Sequence, residues 1–304
     1  MKYPSWDMML SKGKNSFIEE LGSKKRRDKE IAELVTDTIP IEVKEIMKLF
    51  SLQKEVEAIT LGGSRVRGRI DESSDYDLYV YYKKELSPQV RRNILASFCR
   101  HAEIGNSFWE IEDNGTLHSG ISLDIIYRNI DQCEQNIAEV CEGGKSFNGY
   151  TTCLWNNIVT STIIYDKNRK MSRMKQRFAI PYPKNLKDSI IKRNMNLLTN
   201  SLVSYEKQIK ISVDRQDVLY THNRMTAFLE SYFDILFALN EVKNPGGKFA
   251  MEACRDSCSL LPQNFEEHIN SLFYSLGNDL AGIKGIIEKM IQELKQLMAH
   301  SLAA

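Results

Sequence analysis

Residues 61–78 read LGGSRVRGRIDESSDYDL. Asp75 and Asp77 stand two apart at the head of DYDLYVYY, a segment with the aromatic and β-branched content of a strand. On a strand, residues i and i+2 share a face, so the two carboxylates project together. Like charges that close raise each other's pKa unless a cation sits between them, and a hard divalent ion with oxygen ligands suits the pair. Mg²⁺ is the expected ion. Just upstream, Gly62 and Gly63 follow the apolar run VEAITL. They let the backbone turn sharply and approach a ligand, and Ser64 adds a hydroxyl beside the free N–H groups of a following helix. That combination cradles a phosphate. A phosphate-binding turn beside a metal-binding pair implies a metal-bound nucleoside triphosphate.

Nucleotidyl transfer asks for a third carboxylate, to hold a second ion or to take the proton of the attacking hydroxyl. Asp124 in GISLDIIYRN is an isolated acid within an apolar strand, where an unpaired carboxylate costs several kcal/mol. It is the expected third ligand, and Glu110 and Glu112 in FWEIE are the competing pair. Arg67 lies about one helical turn from Ser64. With Arg65 and Arg69 it either steers the triphosphate or is surface charge, and the sequence does not separate the two.

These residues need elements to hold them. The helical period is read at 15–36, 41–52, 88–101 and 131–142. Strands are expected at 56–61, 76–82, 107–112 and 121–127, the last two joined by the turn-rich DNGTLHSG. From about residue 150 the character is helical, with amphipathic stretches at 185–211, 214–241 and 279–301. Residues 150–166 could pack with either half. The expected fold class is α+β: a small mixed β-sheet with helices, followed by an all-α bundle. The divisions are 1–40, an N-terminal helical extension; 41–165, a catalytic domain; and 166–304, a helical substrate-binding domain. The active site is expected in the cleft between the last two.

A chain of 304 residues with 42% hydrophobic and 27% charged content has ample material for a core. Its net charge of +1 gives no global attraction to nucleic acid or membrane. Six dispersed cysteines, an N-terminus without a leader pattern and no long apolar run imply reduced thiols and a cytoplasmic protein without a membrane partner. Cys254 and Cys258 lack the second pair that a zinc site needs. GGKSFNG at 143–149 fails as a P-loop because Glu139 stands where a glycine is required. The aromatic residues of 205–237 are read mainly as core, and Arg215, Asp217, Asn240 and Lys248 are candidates for a pocket.

GGSRVRGRIDESSDYDL, with the later strand Asp124, resembles the signature of the DNA polymerase β-like nucleotidyltransferase superfamily. Within it the chain looks most like antibiotic-type, small-molecule nucleotidyltransferases with a helical C-terminal domain. The resemblance covers residues 56–82 and Asp124. It implies that Gly63 and Ser64 hold the triphosphate, that Asp75 and Asp77 hold the metals, and that Asp124 is ligand or base. The implied reaction moves a nucleoside monophosphate from a nucleoside triphosphate, with two Mg²⁺ ions, to an acceptor hydroxyl. An aminoglycoside or lincosamide leads as acceptor. RNA, protein and short or cyclic oligonucleotide synthesis are the alternatives, nucleic acid being less favoured on charge. A nucleotide-binding regulator is the alternative that is not an enzyme.

Overall fold

The computed structural model describes residues 39–63, 75–108 and 110–303. The helix expected over 15–36, and Ser64, Arg65, Arg67 and Arg69, lie outside the described residues. The described residues within Met1–Ile130, joined by Ser161–Arg173, form one compact unit; Asp131–Thr160 and Met174–Ala304 form another. The architecture is α+β.

In the first unit, helix α1 (Ile41–Ser51) buries Val43, Ile46, Met47 and Phe50, the i, i+3, i+4, i+7 stripe of a helix lying on a core. Strands β1 (Val56–Gly62) and β2 (Tyr76–Tyr82) follow, then helix α2 (Pro88–Leu95), opened by Pro88 and by Ser87, whose Oγ accepts from Val90 N. Strands β3 (Cys99–Asn106), β4 (Glu112–Leu117) and β5 (Ser122–Asn129) come next, and β6 (Thr162–Asp166) returns later. The six strands run in the order β3-β4-β5-β2-β1-β6. Only β2 and β5 pair in parallel; every other neighbour is antiparallel.

Alternation decides which residues face the core. Leu123, Ile125 and Tyr127 of β5, with Leu78 and Val80 of β2, join α1 in one apolar cluster. The Phe50 and Tyr127 rings meet edge-on at 5.9 Å. The interleaved Asp124, Ile126 and Arg128 are half-buried on the other face.

Two expectations are corrected. The helix read over 88–101 ends at Leu95, and Cys99–Asn106 is a strand. The strand read at 107–112 is instead β4, starting at Glu112 and running through the supposed turn DNGT. The sheet edge explains both. Within β3 only Cys99 is fully buried, so the strand carries no apolar period. Gly115 is mid-strand because a Cβ there would lie 2.9 Å from Cys99 Sγ. β6, unexpected from sequence, closes the far edge against β1.

The second unit holds α3 (Ile130–Cys141, whose first residue belongs to the sheet unit) and α4 (Cys153–Thr160). It continues with α5 (Lys170–Phe178, entering from Met174), α6 (Lys184–Met195), α7 (Tyr205–Asp214), α8 (Val218–Leu239), α9 (Ala250–Ser257), α10 (Phe265–Asn278) and α11 (Ile283–Ala303). The stretch expected as one helix over 185–211 is split by a π-turn at Asn196–Asn200, and Ser204 Oγ starts α7 anew by accepting from Lys207 N. Helix α8 is the axis of the bundle, with Phe228, Tyr232, Ile235 and Leu236 packed among Ile209, Leu272, Ile287 and Leu294. No helix among the described residues is long and apolar enough to cross a membrane. All six cysteines are free thiols.

Asp113 of β4 is fully buried on the core face of the sheet. It accepts from Arg91 Nη1, Gly105 N and Tyr127 Oη, each at 2.8 Å. Burial pushes its carboxyl pKa up, and the bonds from Tyr127, Gly105 and Arg91 pull it back. Removing one partner of such a pair strands the other charge. Asp113→Ala should therefore cost about 3–5 kcal/mol in urea unfolding, whereas Lys184→Ala, at the exposed pair with Asp188, should leave the midpoint unchanged.

Candidate active site

The register draws a row of residues across one face of the sheet. Gly62 of β1 lies beside Asp77 of β2, Asp77 beside Asp124 of β5, Asp124 beside Asn114 of β4, and Asn114 beside Glu103 of β3. Register partners on neighbouring strands project to the same side about 5 Å apart. Asp77 and Asp124, distant in sequence, are therefore neighbours in the sheet. Asp75 sits one residue ahead of β2, and all three aspartates are half-buried.

Asp124 is oriented by its other neighbour. Asn106 Nδ2 donates to Asn114 Oδ1 at 2.6 Å, which turns the Asn114 amide so that its Nδ2 donates to Asp124 Oδ1 at 2.8 Å. Asn114 was missed in the sequence because Asn-Gly reads as a turn; nothing short of the strand register points to it.

Gly63 shows why the turn needs glycine. Its φ is +77°, and a Cβ built there would lie 1.8 Å from Asp77 Oδ2. The backbone of the turn thus rests directly on the Asp77 carboxylate. Gly62 is also crowded, since its Cβ would fall 2.6 Å from the Tyr79 ring. Arg128 stacks over that ring at 4.5 Å and pairs with Glu110 through Nη2 at 2.6 Å. Glu110 is committed to this pair, and Glu112 begins β4 at the side of Ile126.

The donor set is all carboxylate oxygen, which suits Mg²⁺ in type, and the Asp77–Asp124 register brings two of the donors to one spot. Among the described residues, no three His, Cys, Asp or Glu side chains already form a closed cluster for a metal. The fit is that of a carboxylate pair whose remaining ligands would come from the substrate, as Mg²⁺ sites on triphosphates are built. In the helical unit, two of the other pocket candidates have structural work. Asp217 caps α8 through Tyr220 N, and Asn240 ties Leu236 O to Leu260 N and O.

Residues 44–129 match the family model described as polymerase beta, nucleotidyltransferase. No curated protein matches the sequence. Among solved structures, a nucleotidyltransferase-like protein from Exiguobacterium sibiricum 255-15 is similar at 11% identity and a TM-score of 0.41, covering 86% of this chain and 75% of its own. An aminoglycoside 6-adenyltransferase from Bacillus subtilis matches at 11% identity and 0.28, covering 86% and 92%. The Thermotoga maritima CCA-adding enzyme complexed with tRNA matches at 12% and 0.24, covering 91% and 85%. These three likenesses are too loose to bear on the substrate.

Gly63→Ala should lower stability by about 1–3 kcal/mol from its left-handed backbone alone, read by chemical denaturation. Gly277→Ala, where nothing lies within 4 Å of the new Cβ, should cause no loss.

Proposed function

Starting from a chain that is a nucleotidyltransferase, with a polymerase β-type domain over 44–129, we propose that it transfers a nucleoside monophosphate from a triphosphate to a hydroxyl of a small molecule. An aminoglycoside or lincosamide is the leading acceptor class. The observation that carries this reading is the parallel register of Asp77 with Asp124 beside the Gly63 turn. Asp75, Asp77 and Asp124 would hold Mg²⁺. Bound there, the ion offsets triphosphate charge and makes the acceptor hydroxyl more acidic.

The chain's own residues supply position and a proton acceptor. Gly62, Gly63 and Ser64 receive the terminal phosphates, with Arg67 as a further cation toward them. Asn114 occupies Oδ1 of Asp124, which directs Oδ2 toward the acceptor. The acceptor oxygen bonds to the α-phosphorus while the bond from that phosphorus to the β-phosphate oxygen breaks. The electron pair leaves with pyrophosphate, and the hydroxyl proton passes to Asp124 Oδ2. Catalysis rests on placement and charge rather than on a covalent intermediate. The sheet unit does the nucleotide chemistry and the helical unit binds the acceptor.

A net charge of +1 supports a small acceptor over an extended RNA, whose phosphates ask for a basic footprint. Six free thiols support a cytoplasmic setting, where triphosphates are supplied.

The test is pyrophosphate release from each nucleoside triphosphate with Mg²⁺, with small hydroxylated acceptors, RNA or no acceptor. Release should require a small acceptor and stop on chelation. Asp77→Asn and Asp124→Asn should each reduce it at least ~100-fold with unchanged circular dichroism. Unchanged rates in both variants would remove the carboxylates from the chemistry. Transfer to RNA, or product from triphosphate alone, would overturn the acceptor class.

A further inference from the structure

A second concave site lies wholly within the helical unit. It is a cavity of about 130 Å³ whose lining includes Tyr150, Leu229, Glu230, Phe233, Phe237 and Phe273. Four aromatic rings and one carboxylate meet there, and Glu230 is the one charged residue among the described residues of the lining. Phe237 and Leu229 form the buried floor, while Phe273 (51% exposed) and Tyr150 (41%) stand in water at the mouth. Phe273 and Tyr150 thus present ring surface to water beside a carboxylate.

The wall is built under strain. Gly149 (φ +91°) passes so close to α8 that a Cβ on it would lie 3.0 Å from Glu230 Cβ and 3.2 Å from Glu230 O. The next residue, Tyr150, is left-handed at φ +54°, a costly conformation for an aromatic residue. Tyr150 and Glu230 share the cavity lining. One turn along α8, Asp234 locks the loop by accepting from Thr151 N at 3.1 Å and Thr151 Oγ1 at 2.7 Å. Asn244 Nδ2 donates to the same carboxylate at 3.2 Å and ties in the opposite wall. The cavity is therefore pre-formed.

We infer that this cavity is a binding site for a small organic cation, an alkyl- or trimethylammonium group, held by the Phe233, Phe237, Phe273 and Tyr150 rings and by the Glu230 carboxylate. Ring faces carry partial negative charge and attract a cation most strongly where water is thinned out. The size agrees, since a cavity of ~150 Å³ takes benzene and this one takes a head group of about five or six heavy atoms. Burial raises the pKa of Glu230, and a cation alongside favours the ionised form that pairs with it. The site stands on residues of the helical unit alone, so it does not depend on the nucleotide chemistry proposed above.

The experiment titrates the full chain, without nucleotide, with choline, n-butylammonium and the neutral choline isostere 3,3-dimethylbutan-1-ol. Calorimetry and saturation-transfer NMR read the binding. Choline or butylammonium should saturate one site, and the neutral isostere should bind about tenfold more weakly. Glu230→Gln and Phe273→Ala should each weaken cation binding by about tenfold at an unchanged melting temperature. Equal binding of choline and its isostere would overturn the cation assignment. So would wild-type affinity in Glu230→Gln, or no saturable binding of either cation.

Discussion

Parallel pairing of β2 with β5 is the constraint on which the candidate site depends. A strand has a side-chain period of two, so a slip of one residue would turn Asp124 into the core and Leu123 and Ile125 out of it. Burying an aliphatic or aromatic side chain is worth about 1.5–3 kcal/mol, and Leu123, Ile125 and Tyr127 all lie on the core side. An unpaired carboxylate in their place costs several kcal/mol. Both effects favour the same register. The position of Asp124 opposite Asp77 is therefore set by apolar residues that take no part in the chemistry.

The same alternation accounts for two consecutive polar residues within β4. Asp113 and Asn114 are consecutive on β4 and so face opposite ways. Asp113 enters the core, where Arg91 and Tyr127 neutralise and bond it. Asn114 reaches the other face and orients Asp124. The Arg91–Asp113 pair ties α2 to β4, and Tyr127 Oη ties β5 to the same carboxylate. The strand that presents Asp124 is thus held from behind by a buried ionic cluster that bonds both oxygens of Asp113.

Some of this was legible in the sequence. The glycines, Asp77 and Asp124 announce themselves by residue type, because glycine before a ligand turn and an acid within an apolar strand are both costly unless used. The strands 56–62, 76–82 and 122–129 were legible because each has apolar residues on at least one face. What stayed hidden lies at sheet edges. β3 buries little, and β4 carries an Asn-Gly that serves close packing against Cys99 rather than a turn. β6 is five residues within a stretch otherwise helical. Asn114, Arg91 and Asp113 acquire their partners only through strand register, which no local pattern encodes.

The carboxylates of this chain can be sorted by what occupies their lone pairs, and burial alone sorts them wrongly. Asp113 and Asp234 are the most buried and have pKa values raised by desolvation, which would mark them as functional candidates. Yet Asp234 accepts from Thr151 N and Oγ1, Asn194 and Asn244, and Asp113 from three donors; neither has an oxygen left for a ligand. Glu110 is taken up by the Arg128 fork. Asp124 differs. One oxygen is fixed by Asn114 and the other has no hydrogen bond among the described residues, on a half-buried face beside Asp77. A carboxylate that is oriented at one oxygen and open at the other is suited to accept a cation or a proton. Full satisfaction marks the structural acids here, and partial satisfaction is what singles out Asp124 as a candidate.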